Sequence, residues 1–268
     1  MLASLEQERQ LLELFSGATG QQVRQFIEAG DLVKMMLIQA LHKVDRGEFT
    51  RVLAHTGQLS DSSDTPERFT SPGEQIRKLW MWNRYFKRGF TQEQVIAARA
   101  AVPAFAWDQP LAALTLCWTL GTLEDSLHAK LAIMRHVYGE DKVFVSPSCK
   151  TEHTFLVDGA PEFVPNRLWW QVIDLGANRD KAPDEIPAAT AAGTEVFDVA
   201  CQHPVYVRQH NDHDIPRLEI PGIRVKVPGE WRWRRCAPYV YGYSIGYVKV
   251  GVRWADEIDS NYAEPVRL

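Results

Sequence analysis

The chain has 268 residues, 45% of them hydrophobic and 24% charged, with a formal net charge of −4 and a pI near 6.1. That length supports one large or two moderate cores, and the composition is that of an ordinary soluble globular protein. The mildly acidic balance argues against a general nucleic-acid coat protein, which needs a basic footprint to displace counterions from phosphates, while leaving room for a local basic patch.

The opening segment "MLASLEQERQLLELF" scatters charges among its leucines and lacks the basic and apolar regions of a secretory signal. Apolar runs such as "PLAALTLCWTLG" are too short to span a bilayer, so no membrane partner is expected. The four cysteines (Cys117, Cys149, Cys201, Cys236) follow no disulfide-scaffold spacing, which points to reduced thiols in the cytoplasm.

In chain order, residues 1–56 read as a small helical module. Leu5, Leu11, Leu12 and Phe15 fall near helical spacing, Thr19 and Gln22 form an N-cap pair, and an apolar helix runs from Asp31 to Gly47. Residues 57–70, rich in Ser, Asp, Thr and Pro, read as a linker. Residues 71–138 follow as a helical hairpin plus a helix. Ser71, Pro72 and Glu74 open the first helix, which Gly89 is expected to end, with Ile76, Leu79, Trp80, Asn83 and Phe86 on one face. Thr91 and Gln94 open the second helix, and Thr122 the third, which stops at Gly139. Between the second and third, "LAALTLCWTLG" is strand-like, although its Leu and Ala leave helix open.

After Gly139 the texture changes, and residues 139–268 read as a β-rich domain. "DKVFVSP", "HTFLVDG", "LWWQVIDLG", "RLEIPGIRVKVPG", "EWRWRRCAPYVYGYSIG" and "YVKVGVRWADEI" are short, β-branched or aromatic, and bounded by Pro and Gly. One embedded helix is expected around "AATAAGTEVFDVACQHPVYVRQH", with Thr194 as N-cap. The fold class is therefore α+β: a helical N-terminal half, then a mostly antiparallel β domain.

Two stretches of this domain carry chemistry. Trp231, Trp233, Tyr239, Tyr241, Tyr243 and Tyr247 recur with a period of two, with Arg232, Arg234 and Arg235 nearby. Such a row serves as a stacking platform for sugars or bases, or packs as cross-strand aromatic pairs with the arginines on the wet face. Trp231, Trp233, Arg234, Tyr239 and Tyr241 are the candidate ligand-binding residues. In "VRQHNDHDIPRLEIPG", His210, Asp212, His213 and Asp214 fall within five residues, and His203 lies seven before His210. On a continuing helix these side chains would converge as metal ligands, so His203, His210, His213 and Asp212 are the candidate metal set. Asn-Asp and Asp-Ile-Pro are loop chemistry, and "QHNDHD" more naturally reads as the solvated end of a helix.

Other motifs lack their context. "GYSIG" matches a nucleophile elbow at Ser244, yet strand-like sequence follows and no histidine lies beyond His213. Cys149 with His153, and Cys201 with His203, fit no familiar zinc spacing. "DLGANRDKAPDEIP" lacks the ligand spacing of a calcium loop, and no phosphate-binding or dinucleotide glycine motif occurs, so no cofactor is expected.

"FTSPGEQIRKLWMWNRYFKRGFT", "LWWQVIDLGANRDKAPDEIP" and "SNYAEPVRL" resemble segments of uncharacterised proteins from uncultured, small-genome bacteria of the candidate phyla radiation, over most of residues 70–268. The resemblance implies a bacterial source and a two-part architecture, and carries no activity. The leading expectation is a non-catalytic intracellular protein. Its helical module would associate, and its aromatic, Arg-rich β domain would recognise a protein partner or small-molecule ligand. The rival is a metal-dependent hydrolase or nuclease built on the His/Asp cluster, and a third reading is a nucleic-acid binder working through "WRWRR".

Overall fold

The computed structural model describes residues 65–83, 86, 89–146, 155–156, 163–210, 214–225, 236–243 and 246–268. The chain divides into two units at Ser60/Asp61, and all the described residues belong to the second. The helices expected within 1–56 lie outside them. The described chain carries both helices and strands, as an α+β fold does.

Local capping chemistry sets the helices. Helix α1 (Pro72–Trp82) starts at Ser71, whose hydroxyl accepts the Glu74 N–H at 3.4 Å, with Pro72 in the first turn. The Glu74 carboxylate pairs with Arg77. The helix stops at Trp82, well before Gly89, because Asn83 turns its amide to the backbone of Phe90. It donates to Phe90 O at 3.0 Å and accepts from Phe90 N at 2.9 Å. Helix α2 (Gln92–Ala100) and helix α3 (Leu123–Tyr138) each begin with a reciprocal capping box, Thr91 with Gln94 and Thr122 with Asp125. Helix α3 ends at Gly139, whose φ of +112° suits a residue without Cβ.

Two sheets follow from the strands. Strands β1 (Ala112–Trp118), β4 (Leu168–Asp174) and β10 (Val266–Arg267) form an antiparallel sheet in the order β1-β4-β10. The "LAALTLCWTLG" segment is thus a strand, buried at every residue of β1, which explains its lack of alternation. Its seven pairs are all with β4, so this sheet draws on both the 71–138 and the 139–268 segments. The second sheet runs β2-β8-β7-β5-β9, built from Val143–Val145, Tyr247–Trp254, Cys236–Tyr243, Arg217–Glu219 and Tyr262–Ala263. Strand β6 (Arg224–Val225) pairs with β7 and with β3 (Phe155–Leu156). Pairing is antiparallel except at its two outer edges, where β2 runs parallel to β8 and β9 parallel to β5.

Helix α4 (Glu195–Gln202) is the hub, with all eight residues buried. It packs on β1, α3 and β7. Thr194 is its N-cap residue but makes no side-chain capping bond. The helical segment breaks at His203 and resumes as α5 (Pro204–Arg208), because Pro204 has no N–H to continue the ladder. Helix α5 lies against β7 so closely that a Cβ on Gly242 would fall 2.1 Å from Val207 O. Among the described residues no helix is long and apolar enough to cross a membrane.

Strand β1 is an edge strand inside the core, so its outward backbone groups need partners other than water. Gln75 of α1 supplies two of them: its Nε2 donates to Leu114 O at 2.8 Å and its Oε1 accepts from Leu116 N at 2.7 Å. The third, Trp118 N, donates to Asp198 Oδ2 of α4 at 3.3 Å. Replacing Gln75 with leucine keeps the volume and strips both partners, so the variant is expected to lose about 2–5 kcal/mol of unfolding free energy in urea titrations. A near-neutral result would show that β1 does not depend on this side chain.

Candidate functional site

The register of the second sheet gathers aromatic and cationic side chains on one face. Phe144 of β2 pairs with Lys249 of β8, and Lys249 with Tyr241 of β7. Arg217 of β5 lies over the Tyr241 ring at 4.8 Å and pairs with Tyr262 of β9. A row of alternating aromatic and cationic side chains therefore crosses five strands. Tyr239, Tyr241 and Tyr262 form a cluster with ring centroids 5.6 to 6.2 Å apart, each ring only 8% exposed. Tyr239 is seated over Gly251, where a Cβ would come within 2.3 Å of its hydroxyl. Arg253 covers Tyr262 at 5.0 Å and Lys249 covers Tyr239 at 5.8 Å. The slight burial of Lys249 alone would lower its pKa, but hydrogen bonds to the Tyr239 and Tyr241 hydroxyls outweigh that and raise it.

Towards the β7–β8 turn the same face opens. Tyr243 pairs with Tyr247, and these two rings are 58% and 44% exposed; Phe144, at the edge, is 56% exposed. Three large exposed rings thus surround Lys249. Single exposed apolar residues are ordinary, but a cluster around a cation is the composition of a contact patch.

Beneath the opposite end of the face, Glu219 and Glu264 occupy adjacent positions on β5 and just after β9, both essentially unexposed. Burial raises both carboxyls, and the hydrogen bond with Glu219 helps push Glu264 up to about 11. Glu264 therefore holds its proton, so that the pair carries one negative charge and not two. Arg253 Nε, 3.0 Å from Glu219 Oε1, balances the remaining charge.

Of the sequence-derived binding residues, Tyr239 and Tyr241 thus sit in this face, as a packed layer under cationic side chains, with the open rings further along. Trp231, Trp233 and Arg234 lie outside the described residues, as do His213, Asp212, Ser244, Cys149 and His153. At the "GYSIG" segment, Gly246 adopts a φ of +83° in the turn between β7 and β8, so a strand follows where a nucleophile elbow needs a helix.

Of the two described histidines of the cluster, His203 is buried in the core and His210 is half-buried beside α5 and β7. His203 sits at the break between α4 and α5, so its seven-residue spacing to His210 does not place the two on one helix. Its Nδ1 accepts from Thr70 N at 3.0 Å and its Nε2 lies 3.2 Å from Thr115 Oγ1. His210 accepts the Gly242 N–H on Nδ1 at 3.2 Å and packs edge-on against Tyr206. Among the described residues no group of three His, Cys, Asp or Glu side chains is placed to hold a metal ion. The three described cysteines, Cys117, Cys201 and Cys236, are buried.

Burial pushes both imidazoles down to about 3 from an ordinary 6.5. As pH falls from about 6.5 towards 3, the unfolded chain binds protons that the folded chain refuses, so each histidine removes stability across that window. The loss is about 2 kcal/mol per histidine by about pH 5. Carboxyls raised by burial, Asp198 and Glu264, act with the opposite sign, so the difference between variant and wild type is the measure. His203→Gln is expected to lose about 2 kcal/mol less than wild type between about pH 7 and 5 in paired urea titrations. Equal losses would show that His203 does not contribute.

Arg217, Tyr262, Phe144 and Lys249 join the face through register, and sequence spacing reaches only Lys249, Gly251 and Arg253 within "YVKVGVRW". Comparison with protein-family models, curated proteins and solved structures gives no match, so the assignment rests on these residues themselves.

Proposed function

We propose that the chain is a non-catalytic cytoplasmic binding protein whose second sheet recognises an acidic protein segment. In this reading the segment 1–56 serves association. The observation that carries it is the trio of open rings, Phe144, Tyr243 and Tyr247, around Lys249. Exposed aromatic side chains offer large contact area at low entropic cost, and a central cation selects for carboxylates between apolar contacts. The layer behind, Tyr239, Tyr241 and Tyr262 packed under Arg217 and Arg253, holds the face rigid.

The same alternation of rings and cations suits a single nucleic-acid strand, which supports the nucleic-acid reading as the second choice. Fluorescence anisotropy separates the two, using a labelled deca-glutamate peptide with two tyrosines and a labelled oligothymidylate. The acidic peptide is expected to bind, and the triple variant Phe144→Ala, Tyr243→Ala, Tyr247→Ala to weaken it by roughly tenfold or more while keeping its thermal midpoint. Tighter binding of the oligonucleotide with a steep salt dependence would replace the proposal with nucleic-acid recognition. No peptide binding, or binding indifferent to the triple variant, would remove it.

A further inference from the structure

On the first sheet a cavity of about 220 Å3 opens beside the start of α4, bounded by β4 and the loop before it, Arg267 of β10, the start of α3 and the turn between β5 and β6. We infer that this cavity binds a small organic monocarboxylate with an aromatic or branched apolar body, independently of the face on the second sheet. A half-open hollow of this size admits a small organic molecule.

The charge balance sets the sign. Glu195 lines the cavity, but its carboxylate is consumed: it takes Arg267 Nε at 2.8 Å and Nη2 at 3.3 Å, and the Gly193 N–H at 2.8 Å. Arg267 Nη1 remains buried with no hydrogen-bond partner. Glu195 balances Arg267, and the open positive charge of the cavity lies on Arg167. Arg167, also lining the cavity, stacks over Trp169 at 4.8 Å, and among the described residues no carboxylate pairs with it. Two guanidiniums against one carboxylate leave a single positive charge, which a monoanion matches.

The rest of the wall sets the body of the ligand. The Trp169 ring, Phe163 and Ile223 face the cavity with Leu123, an apolar lining that bare phosphate or sulfate would leave uncovered. The narrow wall behind is fixed by backbone: a Cβ on Gly222 would fall 2.9 Å from Ala192 O.

Isothermal titration of the full chain with benzoate tests this, with benzamide as the neutral isostere and inorganic phosphate as the bare anion. Benzoate is expected to bind saturably at one site, with both controls weaker by about tenfold or more. Arg167→Ala changes an exposed side chain and is expected to leave the thermal midpoint in place while weakening benzoate by about tenfold. Ile223→Trp fills the cavity and is expected to abolish binding. If that variant does not fold, displacement of benzoate signals in saturation-transfer NMR by bulkier aryl carboxylates reads out the same volume limit. Equal affinity for benzoate and benzamide, phosphate binding as tight as benzoate, or benzoate binding unmoved by Arg167→Ala would each overturn the inference, as would no benzoate binding.

Discussion

The fold depends on how the core terminates strand β1. A sheet edge normally faces water or another strand, and here it faces two helices. Leu114, Leu116 and Trp118 turn their backbone groups outward, and all three residues are buried. Gln75 acts as a short substitute strand for the first two, and Asp198 accepts from the third. Each is a long-range contact from a helix, so helices α1 and α4 are tied to the sheet by hydrogen bonds that water cannot replace.

Asp198 then imposes its own requirement. A carboxyl in that position is pushed by burial up to about 7, with Lys130 countering. Lys130 Nζ donates to Asp198 Oδ2 at 2.7 Å and to Thr194 O at 3.2 Å, and lies over the Trp118 ring at 4.7 Å. The same helix α4 is held at its other end by Lys78, which donates to Gln202 O at 2.9 Å and is lowered to about 8 by burial. A helix buried on every side thus meets a cation at each end, and its orientation between the two sheets is fixed. With α4 fixed, one face of each sheet packs against helices, and the binding proposed above falls to the Tyr face of the second sheet and to the cavity beside α4's first turn.

Sequence reasoning reaches features decided within a few residues. Ser71, Thr91, Thr122 and Gly139 mark helix ends because capping is a local exchange of hydrogen bonds. The period of two in Tyr239, Tyr241 and Tyr243 gives the face they share. It fails where partners come from far away. Helix α1 stops at Trp82 because Asn83 finds Phe90 and not because of Gly89. β1 has no alternation to read, since both its faces are buried. His203 looks like a ligand by spacing, and is accounted for by Thr70 and Thr115, 133 and 88 residues away in sequence. Strand β2 falls within the expected strand "DKVFVSP", but its parallel pairing with β8, and β9 with its pairing to β5, are invisible to a local pattern, and with them the positions of Phe144 and Tyr262 on the Tyr face.

Buried ion pairs are weak arguments for stability, because desolvation often cancels the attraction and an apolar pair of equal volume does as well. The Lys130–Asp198 pair differs in one respect. Its two ends also close the Trp118 N–H and the Thr194 carbonyl. A leucine or methionine at both positions would recover the apolar contacts and still leave the Trp118 N–H without a partner inside the core. The pair is therefore held in place by the backbone it serves, and by the same token helix α4 cannot turn about its axis without breaking β1's edge. That coupling keeps Glu195, three residues before Asp198 and so on nearly the same side of the helix, aimed at Arg267 on β10, which gives the cavity its shape.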